Sequence, residues 1–411
     1  MPALAVDSDP AELGLSAERL ARIDRFFQSY VDDGRIPGFL VAVTRRGRVV
    51  HVGHYGSRDI EAGKPVETDT LWRIYSMTKP VTSVAAMMLY EQGALELTDP
   101  VSRYIPAFAD VRVFDGGSAL RPLTVPALHP VTVRHLLMHT SGLTYGFHHA
   151  HPVDAMYRRA GFEWAIPEGL DLAGCCEAWA GLPLLFQPGT EWNYSVSSDV
   201  LGRVVEVASG QGLDAFFQEH ILGPLGMVDT AFSVREGQGD RLAALYTPDP
   251  RTRKAKREEA LGARALSPPT ALQGGSGLMS TAYDYHRFTQ MLLNEGELDG
   301  VRLLGSRTLR YMTRNQLPGG VDLAAYGRPL FAETPFDGVG FGLGFGVVVD
   351  PVALGLPRTA GEYNWGGAAS TSFWVDPAEQ MTVLFFTQLL PSSTYPLRAQ
   401  LSQLVMQALV D

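Results

Sequence analysis

Ser76-Met-Thr-Lys79 sets a hydroxyl and an amine three residues apart. On a helix this spacing puts both side chains on one face, a turn apart. An amine so placed can share or remove the hydroxyl proton. A helix N-terminus adds positive potential where an oxyanion would develop. The bland alternative is an N-cap serine followed by an unrelated lysine. Composition weighs against it. Of 34 basic residues only four are lysines: Lys64, Lys79, Lys254 and Lys256. Arginine does the ordinary surface work, so a lysine outside a basic run needs a reason. Pro80, next in the chain, is tolerable in the first turn of a helix and nowhere deeper.

Two further segments could complete such chemistry. Trp192-Asn-Tyr-Ser-Val-Ser-Ser-Asp199 puts Tyr194 on a loop before an apolar helix, where a lone tyrosine is ordinarily core. A phenol with a pKa near 10 becomes a base near neutrality only after a shift of about three units, roughly 4 kcal/mol. One ammonium group at about 4 Å in a water-poor site supplies that order of magnitude. Tyr194 is therefore expected to act only if Lys79 lies beside it. In Tyr363-Asn-Trp-Gly-Gly-Ala-Ala-Ser370, the paired glycines Gly366 and Gly367 allow a backbone amide to approach an oxyanion closely. An ordinary glycine bulge would read the same.

Other constellations fail. There is no Gly-x-Ser-x-Gly, no P-loop, and no Gly-x-Gly-x-x-Gly opening a βαβ unit. Phe341-Gly-Leu-Gly-Phe-Gly346 alternates aromatic and glycine, which suits a strand better than a phosphate cradle. His148, His149 and His151 cluster without a carboxylate or cysteine at ligand spacing, so no metal and no cofactor are expected.

The elements that must position these residues follow from pattern. Ser16 caps a helix to about Asp33, with Leu20, Ile23, Phe27 and Val31 on one face. Phe39–Thr44 and Val49–Gly53 read as a hairpin around Arg45–Arg48. Leu71–Tyr75 leads into a helix from near Ser76 to Gly93. The middle, about 100–290, is helical in pattern, with helices at 131–142, 200–208, 213–221 and 283–293. Segment 145–185 is aromatic and irregular, and a loop that long is usually functional. Phe345–Val349, Thr371–Val375 and Met381–Phe386 read as strands, and Leu397–Leu409 as a closing helix. Two strands at the start and three at the end predict one antiparallel sheet built from both termini. The expected division is a discontinuous sheet unit, 1–100 with 290–411, and a helical insertion, 101–289, with the site between them.

Composition bounds the rest. The chain has 411 residues, 45% of them hydrophobic, and a net charge of −10. That charge argues against a nucleic-acid partner. The single basic run, Arg251–Arg257, runs straight into Glu258 and Glu259 and reads as a solvated loop. No stretch reaches the roughly 18 apolar residues of a membrane span. The first 20 residues lack a basic n-region and an apolar core, so a cytoplasmic protein is expected. The adjacent Cys175 and Cys176 read as free thiols, since neighbours would close a strained ring.

In combination, Ser-x-x-Lys, a tyrosine about 115 residues later and a small-residue turn beside a late strand resemble the serine β-lactamase and penicillin-binding-protein superfamily. The class C-like branch is nearest, and within it the family VIII carboxylesterases. Thr132–Leu143, Gln187–Ser195, Asp199–Gly202, Pro224–Met227 and Gly274–Ser280 fit the same order. The resemblance implies a class C-like α/β (α+β) fold. It also implies Ser76 as acylated nucleophile, Lys79 as its proton partner and Tyr194 as the base that activates water. Which of the two is the primary base stays open at this point. The amides of Ser76 and Ala368 would form the oxyanion hole. Val196 stands where class C enzymes carry an asparagine, and Trp365 where they carry a lysine that holds the substrate carboxylate. Both departures favour an uncharged ester over a lactam or anionic peptide. Trp365, Gly366, Gly367, Val196 and Tyr145 are the expected substrate contacts. The expected partner is a small-molecule ester. The rival readings are an acyltransferase, a weak β-lactamase or D-alanyl peptidase, and a catalytically idle binding homologue.

Overall fold

The computed structural model describes residues 3–164, 166–167 and 169–411. Met1, Pro2, and the two positions 165 and 168 of the irregular segment lie outside the described residues. The frame is an eight-stranded antiparallel sheet. Its strands are β1 (Gly38–Arg45), β2 (Arg48–Asp59), β3 (Lys64–Pro65), β4 (Val339–Phe341), β5 (Gly346–Val348), β6 (Tyr363–Gly367), β7 (Thr371–Asp376) and β8 (Met381–Phe386). The order is β4-β5-β6-β7-β8-β1-β2-β3, so the two ends of the chain meet where β8 pairs with β1. Val41 stands opposite Phe385 and Leu40 opposite Phe386.

Every residue of β1 is buried. A strand covered on both faces must be apolar at consecutive positions, and Phe-Leu-Val-Ala-Val meets that demand. Phe39, Val41, Val43, Val383 and Phe385 face helices α1 (Ala17–Asp32) and α5 (Leu397–Met406). The Phe27 ring lies 4.7 Å from Phe385 and 5.7 Å from Phe39. Burying a phenylalanine of this kind contributes about 1.5–3 kcal/mol. Ser16 caps α1 by accepting from the Arg19 amide. The fourth buried residue of α1 is Tyr30, with Val31 only partly covered, because the stripe follows 3.6 residues per turn. Leu40, Ala42, Leu384 and Phe386 face the other way, into a core shared with α2 (Thr78–Glu91), α3 (Ser197–Ser209) and α4 (Ala282–Leu293). That apolar core runs without a break from the sheet into the middle of the chain.

The middle is less purely helical than its pattern predicts. Arg112–Ser118 and Arg121–Pro126 form a hairpin, and Tyr246–Pro248 pairs with Ala255–Arg257 inside the basic run. Arg257 there is ion-paired to Asp59 at 2.7 Å and Glu259 at 2.8 Å. Segment 145–185 contains two short helices, Pro152–Arg159 and Leu172–Ala180. The expected helix at 213–221 is α-helical only to Phe217 and continues as a π turn, Gln218–Leu222. Tyr363–Gly367, read from sequence as a turn before a strand, is itself strand β6. Cys175 and Cys176 are free and buried. Among the described residues, no helix is long and apolar enough to cross a membrane.

Candidate active site

Ser76 lies in a 3₁₀ turn, Tyr75–Met77, which runs directly into α2. Tyr75, the residue before it, holds φ at +42°, an uncommon conformation for a bulky side chain. The turn is pinned from behind, since the Tyr285 hydroxyl donates to the Met77 carbonyl at 2.8 Å. Lys79 follows one turn later and is 2% exposed. Its Nζ is 3.2 Å from Ser76 Oγ, 3.0 Å from the Tyr145 hydroxyl and 2.7 Å from the Gly275 carbonyl oxygen.

Tyr194 comes from the segment leading into α3. Its hydroxyl donates to Ser76 Oγ at 2.5 Å, and Lys79 Nζ sits 4.7 Å from its ring centre. Backbone contacts fix this segment. The Asn193 amide donates to the His139 carbonyl at 2.9 Å, and the Asn193 side chain to the Leu143 carbonyl at 3.0 Å. His148 Nε2 donates to the Tyr194 carbonyl at 2.7 Å. The three clustered histidines thus diverge: His149 pairs with Glu163, and His151 accepts from Val153 as a helix cap.

Burial pulls the Lys79 ammonium down to about 8, against the opposing pull of Asp199 and Glu333. Tyr194 moves the other way. Burial and the Glu333 carboxylate hold its pKa well above 10, and the hydrogen bond to Ser76 offsets this only in part. The same burial that lowers the Lys79 ammonium thus favours the neutral phenol of Tyr194. The Asp199 carboxylate acts in the same direction as burial and Glu333.

A cavity of about 200 Å³ opens over Ser76. Tyr145, Tyr194, Val196 and Ala368 line it beside the serine. Segment 145–185 supplies Phe147, Phe162, Trp164, Ile166 and Trp179, and residues 261–279 supply much of the opposite wall. Phe147 stacks on Tyr145 at 4.6 Å and on Trp164 at 4.5 Å. Trp365, Gly366 and Gly367 do not line this cavity, in contrast to the expectation of direct substrate contact. Strand alternation turns the Trp365 side chain into the core. It is 1% exposed, with its ring 5.4 Å from Tyr194 and 5.4 Å from Phe341. The two glycines serve close packing. A Cβ on Gly367 would fall 2.3 Å from the Ile74 carbonyl oxygen, and one on Gly366 2.2 Å from the Arg398 guanidinium. The bareness of Gly367 lets the end of β6 lie against Ile74, two residues before Ser76, with Ala368 next in the chain at the cavity.

Residues 23–407 match the family model described as Beta-lactamase. The chain belongs to the beta-lactamase family. It is 35% identical to esterase EstB of Burkholderia gladioli over 400 residues, 93% of this chain and 94% of EstB. The solved structure of EstCE1, described as a hydrolase with promiscuous acyltransferase activity, superposes with a TM-score of 0.80. Its identity is 29%, with 96% of this chain and 99% of EstCE1 covered. Simvastatin synthase from Aspergillus terreus gives a TM-score of 0.81 at 25% identity, covering 96% and 98%.

This beta-lactamase-family site includes groups that sequence reading did not assign. Asp199, buried in the first turn of α3, accepts from the Gly275 amide at 2.9 Å, while the Gly275 carbonyl accepts from Lys79. Added Cβ atoms would meet the Ser198 carbonyl from Gly274 and the Asp199 carboxylate from Gly275, each at 2.6 Å. The Gly274-Gly275 pair therefore threads between α2 and α3 to reach the lysine. The available signal was a buried-type acid inside an apolar helix start and an unexplained Gly-Gly. Glu333, also at the cavity, carried no signal at all.

Proposed function

We propose that this protein is a serine hydrolase that cleaves small carboxylic esters through an acyl-enzyme on Ser76. The observation that carries this reading is the placing of Ser76 Oγ within 2.5 Å of Tyr194 and 3.2 Å of a lysine with a lowered pKa, at a cavity that Tyr145, Phe147, Trp164 and Trp179 help to line. Esterase EstB, similar along nearly the whole chain, supports the ester as substrate class.

In the proposed cycle, Ser76 Oγ attacks the ester carbonyl carbon and its proton passes to the neutral Lys79 amine. The amides of Ser76 and Ala368 hold the oxyanion. The C–O bond to the alcohol then breaks. The leaving alkoxide takes the Tyr194 proton, and Tyr194 is reprotonated from the Lys79 ammonium. Water attacks the acyl-enzyme with its proton relayed through Tyr194 to Lys79. Release of the acid returns that proton to Ser76. Trp365 acts as a positioning residue that holds the Tyr194 ring. Val196 and Tyr145 would meet the substrate directly.

Ser76→Ala is expected to abolish p-nitrophenyl butyrate hydrolysis, and a rate equal to wild type would refute the nucleophile. A second reading, acyl transfer to an alcohol, is favoured by the description of EstCE1. Product analysis with added alcohols separates transfer from hydrolysis.

A further inference from the structure

Lys79 and Asp199 are joined through a single residue of backbone. The Gly275 carbonyl accepts from Lys79 Nζ at 2.7 Å, and the Gly275 amide donates to Asp199 Oδ1 at 2.9 Å. Lys79 stands in α2 and Asp199 in α3, so the link crosses between two helices. Thr82, three residues after Lys79, donates to the Gly274 carbonyl at 2.6 Å and holds the same passage from α2. The link has no slack, since a Cβ on Gly275 would lie 2.6 Å from Asp199 Oδ2. Both charged residues are 2% exposed. A carboxylate buried so far needs hydrogen bonds and an opposite charge. The cation acting on Asp199 is Lys79. The second acid acting on Lys79, Glu333, is held at 2.5 Å by Arg398, so a guanidinium already answers its charge. Acylation turns the neutral Lys79 amine into a buried ammonium, which needs a counter-charge in turn.

We propose that Asp199 is a positioning residue of this site: its carboxylate clamps the Gly275 backbone that holds the Lys79 amine, and it is the counter-charge to the ammonium formed when Ser76 gives up its proton. This inference rests on the acyl-enzyme cycle above. The direction of the lysine shift agrees, since Asp199 pulls the ammonium up against burial. The other titratable groups around the pair are Tyr145, Tyr194 and His139 near Lys79, and Cys175 and Cys176 near Asp199. Burial holds His139 well below 6.5 and both phenols and both thiols above their usual values, so none of these titrates near neutrality.

The test is the pH profile of kcat/KM for p-nitrophenyl butyrate in wild type, Asp199→Asn and Asp199→Ala. The asparagine oxygen can still accept from the Gly275 amide, but the charge is gone. Loss of a negative charge favours the neutral amine, so the wild-type break near 8 moves to lower pH. In Asp199→Asn we expect a shift of about one pH unit, with the plateau lowered about tenfold because the ammonium has lost its counter-charge. Asp199→Ala also frees the Gly275 amide, and its plateau should fall about 10²-fold, so that asparagine restores part of the rate. Plateaus that fall in both variants with the break unmoved would mark Asp199 as packing alone and overturn the inference. A wild-type profile in Asp199→Asn would overturn it as well. Both outcomes leave the esterase reading standing, whereas a wild-type protein without turnover of p-nitrophenyl butyrate would overturn that reading itself. Asn and Asp are nearly equal in shape, so the comparison holds even if the alanine variant folds poorly.

Discussion

Lys79 has three close partners, and its chemistry follows from the number of hydrogens it carries. As an amine it has two donors and one lone pair. The Gly275 carbonyl and the Tyr145 oxygen take the two donors, and Ser76 can donate to the lone pair. Protonation changes only the direction of the Ser76 bond. Burial is what brings the neutral amine into range, holding the group at about 8 rather than 10.5. The sign follows directly: below pH 8 the lysine is mostly ammonium and cannot accept the serine proton. We expect kcat/KM for p-nitrophenyl butyrate to rise about tenfold per pH unit below 8 and to level off above it. A phenolate base would instead keep the rate climbing past pH 10, since Tyr194 is held well above that value. A profile flat from pH 6 to 9 would contradict both. Ser76, Lys79 and Tyr194 were legible because their types and order carry the signal. Asp199, Gly275 and Glu333 were not, because each acquires meaning only from a tertiary contact with a distant segment.

At the scale of elements, the site depends on two backbone passages too narrow for a side chain. One is Gly274-Gly275 between α2 and α3, and the other is Gly367 against Ile74. A methyl group at Gly367 meets a backbone carbonyl at 2.3 Å, which cannot rotate away, so β6 must shift and carry Ala368 with it. Gly367→Ala is expected to lower kcat by about 10²-fold with a smaller change in KM, the pattern of a misplaced oxyanion site. An unaltered kcat would show that Ala368 is not part of it. The same glycines hid β6 from sequence reading: Tyr363 and Trp365 alternate as a strand should, but Gly-Gly reads as a turn. The hairpin at 112–126 was masked similarly by Gly116, Gly117, Pro122 and Pro126. The helices Pro152–Arg159 and Leu172–Ala180 are too short for a period to register.

Across the whole molecule, the sheet closes on strands from both ends of the chain. The closure is tied at Leu15 with Leu409 and by Arg45, which ion-pairs with Glu379 at 2.8 Å and Asp411 at 2.9 Å. This architecture was legible, because consecutive apolar residues in β1, β7 and β8 demand cover on two faces. The walls of the cavity were not, because residues from 145–185 and 261–279 converge by packing rather than by pattern. What joins the parts is the claim that the intact protein carries an acyl group on Ser76. Mass spectrometry of the protein after reaction with an alkyl p-nitrophenyl phosphonate, followed by peptide mapping, reads this directly. The expected result is one phosphonyl adduct per chain, on the peptide containing Ser76, and none on Ser76→Ala. An active wild-type protein that stays unlabelled, or carries the adduct elsewhere, would contradict it.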